Sequence, residues 1–446
     1  MTLTFGAPYP TPVPTGTNTP GGTTLTAYSA CLTPGCANTG PRVAVGPQPT
    51  ITCAPSSVNF TSGQSSATIQ TSINGHAPGT SYCFGAGTYT QPNLTPQSGD
   101  TYIGVNGAIF NGANTAPMAF SDDGSGGAVT NVTIKNITFE NYNTALGLGV
   151  VDCSRTGTPG STGWKIFNNQ IEMSAAYGIR IGSAWNVVGN SIHGNNQGGW
   201  GAFGVNATIT DNELYNNDPG DIIDFNVSGA GGGKAYITSG TIVSYNYSHD
   251  NIGPGIWYDT DNTGSVISFN DSENNSRNGI MYEISWDGVI QNNYLAGNGS
   301  SNATYGCSSS DEFCGAIFLG DSGAQTGNVI DISNNTIITS ANGGAISFLS
   351  DNRGSGLYGP YMAQNVKIHN NNVNFNGQSF SFFGGADHDG SDPAMFTTGG
   401  NSMDYDAFTG AGANSFFVWG NSNIYGVFMN FAGFQSAGLE SHGTSH

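Results

Sequence analysis

The chain is predicted to be all-β, a right-handed parallel β-helix in which one coil stacks on the next, and three observations predict it. Asn recurs in one setting, just after a short strand of alternating apolar residues, at Asn136, Asn169, Asn190, Asn212, Asn246, Asn270, Asn293, Asn335 and Asn371. The closest intervals are 21, 22, 24 and 23 residues, the length of one solenoid coil. Composition agrees: of 446 residues only 9% are charged and 68 are Gly, so amides and hydroxyls carry the polarity, which suits strands and tight turns better than helices. A length that ordinarily implies two or three domains then fits one, because a solenoid grows along a single axis.

In chain order, residues 1–50 are rich in Pro, Thr and Gly without periodicity and read as an extended or poorly ordered arm with no chemistry. The stretch from Met1 to Pro14 lacks the basic and apolar regions of a signal peptide, so the chain reads as the mature form of an exported, extracellular protein. Residues 51–130 are expected to form an N-terminal cap and the first coils. In them Ser65 to Asn74 makes a short amphipathic turn, and Tyr82-Cys83-Phe84 and Thr88-Tyr89 alternate like edge strands. Residues 131–400 carry the coils, each Asn being assigned to a sharp αL bend with its amide bonded to its copies above and below as a ladder. Intervals of 33, 34, 42 and 36 residues exceed one coil, which places inserted loops near 153–162, 228–240, 299–314 and 351–362. Residues 401–446 are aromatic-rich, leave the pattern and are expected to cap the far end.

Charge and cysteines narrow the function. Nine basic residues against 29 acidic ones give a formal charge of −20, a field that repels nucleic acid, anionic membranes and polyanionic glycans. No apolar run is long enough to span a bilayer. A neutral polysaccharide is the expected partner, and a monomer the expected state. Of seven cysteines, Cys31 with Cys36, Cys53 with Cys83 and Cys307 with Cys314 can pair, leaving Cys153 as an isolated thiol. Local pairing of this kind suits an oxidising compartment.

Each coil should also hold a strand that begins with Gly, as in Gly178-Ile-Arg-Ile, Gly220-Asp-Ile-Ile-Asp, Gly255-Ile-Trp-Tyr-Asp, Gly279-Ile-Met-Tyr-Glu, Gly315-Ala-Ile-Phe-Leu and Gly344-Ala-Ile-Ser-Phe. Residues one and three after the Gly face in; two, four and six face out. Stacked in this way, Asp224, Asp259 and Glu283 share one outward position on three consecutive coils, with Asp261 and Asp321 two residues further on. Parallel strands lie about 4.8 Å apart, so at least one stacked acid should keep its proton abnormally high, and a raised acid beside an ionised base is what glycosidic cleavage requires. Asp259 with Glu283 suits a retaining pair, and Asp224 with Glu283 lies just beyond the inverting range. Glu283 is assigned the general acid, flanked by Tyr282 and Trp286, and Asp259 the nucleophile or base, with Asp224 and Asp261 tuning them. Trp257, Trp286 and Trp200 are the expected sugar platforms. The alternatives for these carboxylates are a Ca²⁺ site or a solvated acidic stripe.

The chemistry requires no cofactor, and Ca²⁺ is the candidate ion. A second place for it is Asp387-His-Asp-Gly-Ser-Asp392, where Asp387, Asp389 and Asp392 alternate around Gly, a pattern equally that of an ordinary Asp/Gly turn. His193 and His249 each follow a ladder Asn by three residues, with Tyr215 between them, on a face away from the carboxylates, where a surface role is expected.

The Asn repeat, the coil length and the acids after the glycine turn resemble the pectin-lyase-like superfamily, from about residue 53 to 400. Bacterial β-helix repeat proteins are similar through Ala77-Pro-Gly-Thr-Ser-Tyr-Cys-Phe-Gly-Ala-Gly-Thr-Tyr89, Gly255-Ile-Trp-Tyr-Asp-Thr-Asp-Asn262, Gly279-Ile-Met-Tyr-Glu-Ile-Ser285 and the ending Phe434-Gln-Ser-Ala-Gly-Leu-Glu-Ser-His442. The resemblance implies a polysaccharide groove on this strand face and assigns Asp259, Asp261 and Glu283 the acid cluster of polygalacturonase-like hydrolases. The Asp-Asp pair, Gly-His-Gly and Arg-x-Lys of pectin hydrolases are missing, which argues against pectin. Lyases and epimerases of the superfamily need a base, for which Arg180, Lys234 and Arg277 stand on suitable coils; Arg180, Arg277 and Asp321 are also candidates for holding substrate. The expectation is a secreted glycoside hydrolase, with a Ca²⁺-dependent lyase or epimerase and a non-catalytic glycan-binding β-helix as alternatives.

Overall fold

A computed structural model describes residues 39–122, 127–153, 160–221, 229–299, 307, 314–340, 343–378, 381–412, 414, 416–420 and 427–446. Asp224 and the Cys31–Cys36 pair assigned from the sequence lie outside the described residues.

Three short strands make a coil. One coil runs through Ile256–Asp259, Thr263–Ser268 and Asp271–Glu273, and the next through Ile280–Glu283, Trp286–Gln291 and Tyr294–Ala296. Each strand pairs in parallel with its counterpart one coil on, so the coils stack into three faces. The alternation of apolar residues decides which side each strand buries. Ile256, Tyr258, Ile280 and Tyr282 point inward from the first face, Ile267 and Ile290 from the second, and Leu214 and Leu295 from the third, all essentially without solvent contact. Each buried Ile or Leu contributes about 1.5–3 kcal/mol, which is how so weakly charged a chain fills a continuous core.

The Asn ladder forms at the bend between the second and third faces. From Asn169 through Asn190, Asn212, Asn246, Asn270, Asn293, Asn335 and Asn371, each Nδ2 donates to the Oδ1 of the next at 2.9–3.0 Å, and the last donates to Asp406. Two points differ from expectation. The left-handed conformation belongs to the residue before the ladder position, at φ +52° to +59° for Asn168, Asp211, Tyr245, Phe269, Asn292, Asn334 and Asn370. Asn136 stands one residue out of register, so Ile137 donates to Asn169 in its place, at 3.1 Å. A second ladder, absent from the sequence reading, runs through Asn195, Asn217, Asn251, Asn275 and Asn298 at 2.9–3.1 Å.

The N-terminal end is closed by the helix Ser66–Gly75, whose first turn is capped by Ser65 Oγ accepting from Thr68 N at 3.1 Å. Ser81–Phe84 is not an edge strand, because it pairs on both sides, with Val58–Phe60 and Thr101–Gly104. The described part of the arm is docked as a strap along the bends. Gly40 N donates to Phe269 O at 3.1 Å, the Arg42 guanidinium grips Asp211 at 2.9 Å and covers the Tyr245 ring at 3.5 Å, and Gly46 N donates to Gly189 O at 2.8 Å. It thereby crosses several coils in a few residues. At the other end the coils continue past 400, through Ser402–Asp404, Ala407–Thr409 and Phe417–Gly420, before the helix Phe431–Ser436 covers them.

Disulfides join Cys53 to Cys83 and Cys307 to Cys314. Cys153 is a buried free thiol that burial pushes up to about 12, so it is held unreactive. No helix among the described residues is long and apolar enough to cross a membrane.

Candidate active site

Two adjacent strands of the first face carry the site. Ile256–Asp259 and Ile280–Glu283 are in register, which sets Asp259 directly beside Glu283, both pointing out of the coil. The third carboxylate of the expected row is replaced. The strand before Ile256–Asp259 is Gly231–Ser239, a stretch assigned from the sequence to a loop, and its Tyr236 is the register partner of Asp259. On the other side the strand Gly315–Gly320 has slipped by one residue relative to its glycine, so Gly320, not an acid, lies beside Glu283. Asp321 falls at the corner beyond, with φ +47°.

Glu283 is the chemically unusual group. It is only 6% exposed, and burial, reinforced by the charge of Asp259 and a hydrogen bond between the two side chains, raises its pKa to about 7. Two cations oppose that shift. Lys234 Nζ lies 2.7 Å from Asp259 Oδ2 and 3.4 Å from the centroid of the Trp257 ring. Arg353 Nη1 reaches Glu283 Oε2 at 3.8 Å from the inserted segment beyond the strand Gly344–Ser350. Lys234 thus bonds Asp259 directly, whereas Arg353 reaches Glu283 only at the longer distance. Tyr282, assigned to the perturbation of Glu283, faces inward, its hydroxyl donating to Trp286 O at 3.0 Å. Asp321 is buried as well and pushed up to about 6 by burial, against the Asp351 N–H it accepts at 2.9 Å.

Asp261 is turned away from the pair. Its Oδ1 accepts from Trp286 Nε1 at 3.0 Å and from Leu357 N at 2.7 Å, at the tip of the hairpin Ser355–Gly356 with Gly359–Pro360.

The tryptophans are not exposed platforms. Trp257 does point outward as expected, but it is sealed in a cluster with Met281, Phe318 and Leu349 under Lys234. Trp286 is covered by Tyr358 and Tyr361, and Trp200 belongs to the main core, its indole pressed against Gly233. Their size explains the error: so much apolar area is worth more buried. The aromatic side chains left open on the elements around the pair are Tyr236, 37% exposed, and Tyr358, 44% exposed. Neither was singled out from the sequence, although Tyr236 would have been found had Gly231–Ser239 been read as a strand.

Arg180 lies in the outward row that leads to Lys234, with Gly201 between them, and pairs with Asp152 at 3.5 Å. Arg277 stands before the strand Ile280–Glu283, at the end away from Glu283. His193, Tyr215 and His249 stack on the third face, at centroid distances of 4.4 and 5.2 Å, remote from the pair. Asp387, Asp389 and Asp392 form a turn whose carboxylates accept backbone N–H groups of Gly390, Ser391 and Ala363 at 3.0 Å. These oxygens thus brace the turn itself, and among the described residues no group of three or more His, Cys, Asp or Glu is arranged to hold a metal.

With this geometry in place, comparison with known proteins identifies the architecture. A family model described as a right handed beta helix region matches residues 157–353. No curated protein matches the chain by sequence. Among solved structures it is similar to the A-modules of two Azotobacter vinelandii mannuronan C-5 epimerases. AlgE4 is 15% identical, covering 77% of this chain and 89% of that one at a TM-score of 0.55; AlgE6 is 13% identical, covering 85% and 93% at 0.58. It is also similar to the catalytic unit of a GH87 α-1,3-glucanase from Streptomyces thermodiastaticus, 14% identical, covering 86% of this chain and 66% of that one at 0.55. At these identities the likeness is one of fold.

Proposed function

We propose that this chain, a right-handed parallel β-helix that resembles the pectin-lyase-like superfamily, is a secreted glycoside hydrolase acting on a neutral or weakly charged polysaccharide. One observation carries the reading: Glu283, almost fully buried, stands in register beside Asp259, which in turn is ion-paired to Lys234 at 2.7 Å, and its burial beside that carboxylate raises its pKa to about 7. An acid that keeps its proton at working pH and an anion beside it are the two groups glycosidic cleavage uses.

In this reading Glu283 gives its proton to the glycosidic oxygen while Asp259 attacks the anomeric carbon. Neighbouring strands are about 4.8 Å apart, so the in-register Asp259 and Glu283 stand close enough to act on one glycosidic bond. The substrate oxygen takes the place of the Asp259–Glu283 hydrogen bond, and the deprotonated Glu283 then draws a proton from the water that releases the sugar. A lyase or epimerase needs a neutral base. Lys234 is held in an ion pair with Asp259 and Arg353 is turned to Glu283, so neither stands as a free base for that role.

The extracellular assignment is supported by the two disulfides. The test is a panel of polysaccharides assayed for reducing ends and for ultraviolet absorption by unsaturated sugars, with and without chelator. A hydrolase releases reducing ends alone and ignores chelator. Unsaturated products, or activity lost with chelator, would transfer the site to the lyase class.

A further inference from the structure

Asp261 has the sequence setting of a catalytic acid but the contacts of a fastener. Its Oδ1 accepts both Trp286 Nε1 and Leu357 N, the Tyr361 hydroxyl hydrogen-bonds to the same carboxylate, and Gly356 is packed so closely against Asp261 and Tyr361 that no Cβ fits there. Through these contacts the hairpin Ser355–Gly356 with Gly359–Pro360 is drawn onto the corner that follows Asp259. What the hairpin brings is apolar: Leu357 is 60% exposed and Tyr358 44%. Facing them across the same corner are Tyr236, in register with Asp259, and Ile237, whose N–H donates to Thr260 O at 3.0 Å. Of the nine large apolar side chains that stand exposed among the described residues, four belong to these two segments, Tyr236 and Ile237 on the strand that pairs with Asp259, and Leu357 and Tyr358 on the hairpin held by Asp261. A concentration of that kind marks a binding surface.

We propose that the hairpin is a wall of the groove which, with Tyr236 and Ile237, forms an apolar subsite for the face of a neutral sugar ring, and that Asp261 is the positioning residue that latches it there. A sugar ring offers an apolar face of C–H groups, which open aromatic rings accept without a charge partner. The subsite rests on the glycan reading above and gives it a substrate class, rings with an uncharged face. A latch needs acceptor oxygens only, whereas a catalytic carboxylate needs its charge. Asp261→Asn keeps the acceptor and Asp261→Ala removes it, which separates the two roles.

The experiment uses the whole chain carrying Glu283→Gln, so that binding is read without turnover. The probes are insoluble neutral glucans, xylan and mannan, with a polyuronate as the charged control. Tyr358→Ala and Asp261→Ala should each weaken adsorption to the neutral polymer that the parent binds by roughly tenfold, while Asp261→Asn stays within about twofold. Trypsin should cut after Arg353 at least about tenfold faster in Asp261→Ala than in the parent or in Asp261→Asn. Hairpin-dependent binding in a protein whose wild type releases no reducing ends would uphold the subsite and sink the hydrolase. The proposal is overturned by unchanged binding in Tyr358→Ala, by Asp261→Asn failing as badly as Asp261→Ala, or by a parent that adsorbs to none of the neutral polymers.

Discussion

At the end of the Asn ladder an acid stands where every earlier rung is an amide, and Asp406→Asn should make the protein more stable at alkaline pH. Asp406 Oδ1 accepts from Asn371 Nδ2 at 3.0 Å, and Asp406 N donates to Glu440 Oε2 at 3.0 Å. Both carboxyls are almost fully buried, and burial together with the charge of Glu440 holds the Asp406 pKa well above its ordinary value. The sign follows from linkage. A pKa raised in the folded state contributes stability that is complete below the unfolded carboxyl value near 4 and is lost as pH climbs through the folded value. Each pH unit crossed in that window costs about 1.4 kcal/mol. Asp406→Asn supplies the missing donor permanently, as the protonated acid does, and needs no proton. Near pH 4 its stability should match wild type. At pH 8 it should exceed wild type by at least about 1.4 kcal/mol, a rise of roughly 2 °C or more in melting temperature. Thermal melts of both proteins at the two pH values decide it. An equal effect at both, or a loss at pH 8, would refute the shared-proton account of the cap.

Lys234→Met should move the alkaline limb of the kcat/KM profile to higher pH, because the ammonium is one of the two charges pulling Glu283 down, and should cost about 2 kcal/mol by stranding Asp259. pH–rate profiles and denaturant titration read the two effects separately. Asn251→Ala should destabilise as much as Asn246→Ala, by about 2–4 kcal/mol each. Either change opens a ladder and strands the Leu214 or Ile209 carbonyl that the amide satisfies. Equal urea midpoints for Asn251→Ala and wild type would deny the second ladder a structural role. Replacing Cys53 and Cys83 together by Ser should cost about 3.5 kcal/mol, the loop-closure value for their separation of 30 residues, seen as a lower unfolding midpoint.

The solenoid was legible because a ladder constrains both the residue and its interval: within it, a buried amide that must meet its copy about 4.8 Å away favours Asn at each rung. The second ladder was equally legible, since Asn195, Asn217, Asn251, Asn275 and Asn298 each follow a rung of the first by five residues. It was passed over because they sit beyond the third strand, among turn residues where Asn is expected anyway. Asp259 and Glu283 were placed correctly because their coils are one period apart without insertion. Where an insertion intervened, counting from a glycine failed. The coil before Asp259 takes its strand from Gly231–Ser239, and the coil after Glu283 slips by one residue. Arg353 lies 70 residues from Glu283 along the chain and comes from an inserted segment, so no local pattern announces their contact. The tryptophans were judged by direction alone, and direction does not reveal what packs on top.

The central claim is that Glu283 is the acid and Asp259 its anionic partner, and Glu283→Gln tests it most directly, because the amide keeps the shape and loses the transferable proton. On the polysaccharide that wild type cleaves, the variant should retain its melting temperature within about 2 °C and lose at least about a thousandfold in kcat/KM. A folded Glu283→Gln protein releasing reducing ends at the wild-type rate would contradict the account.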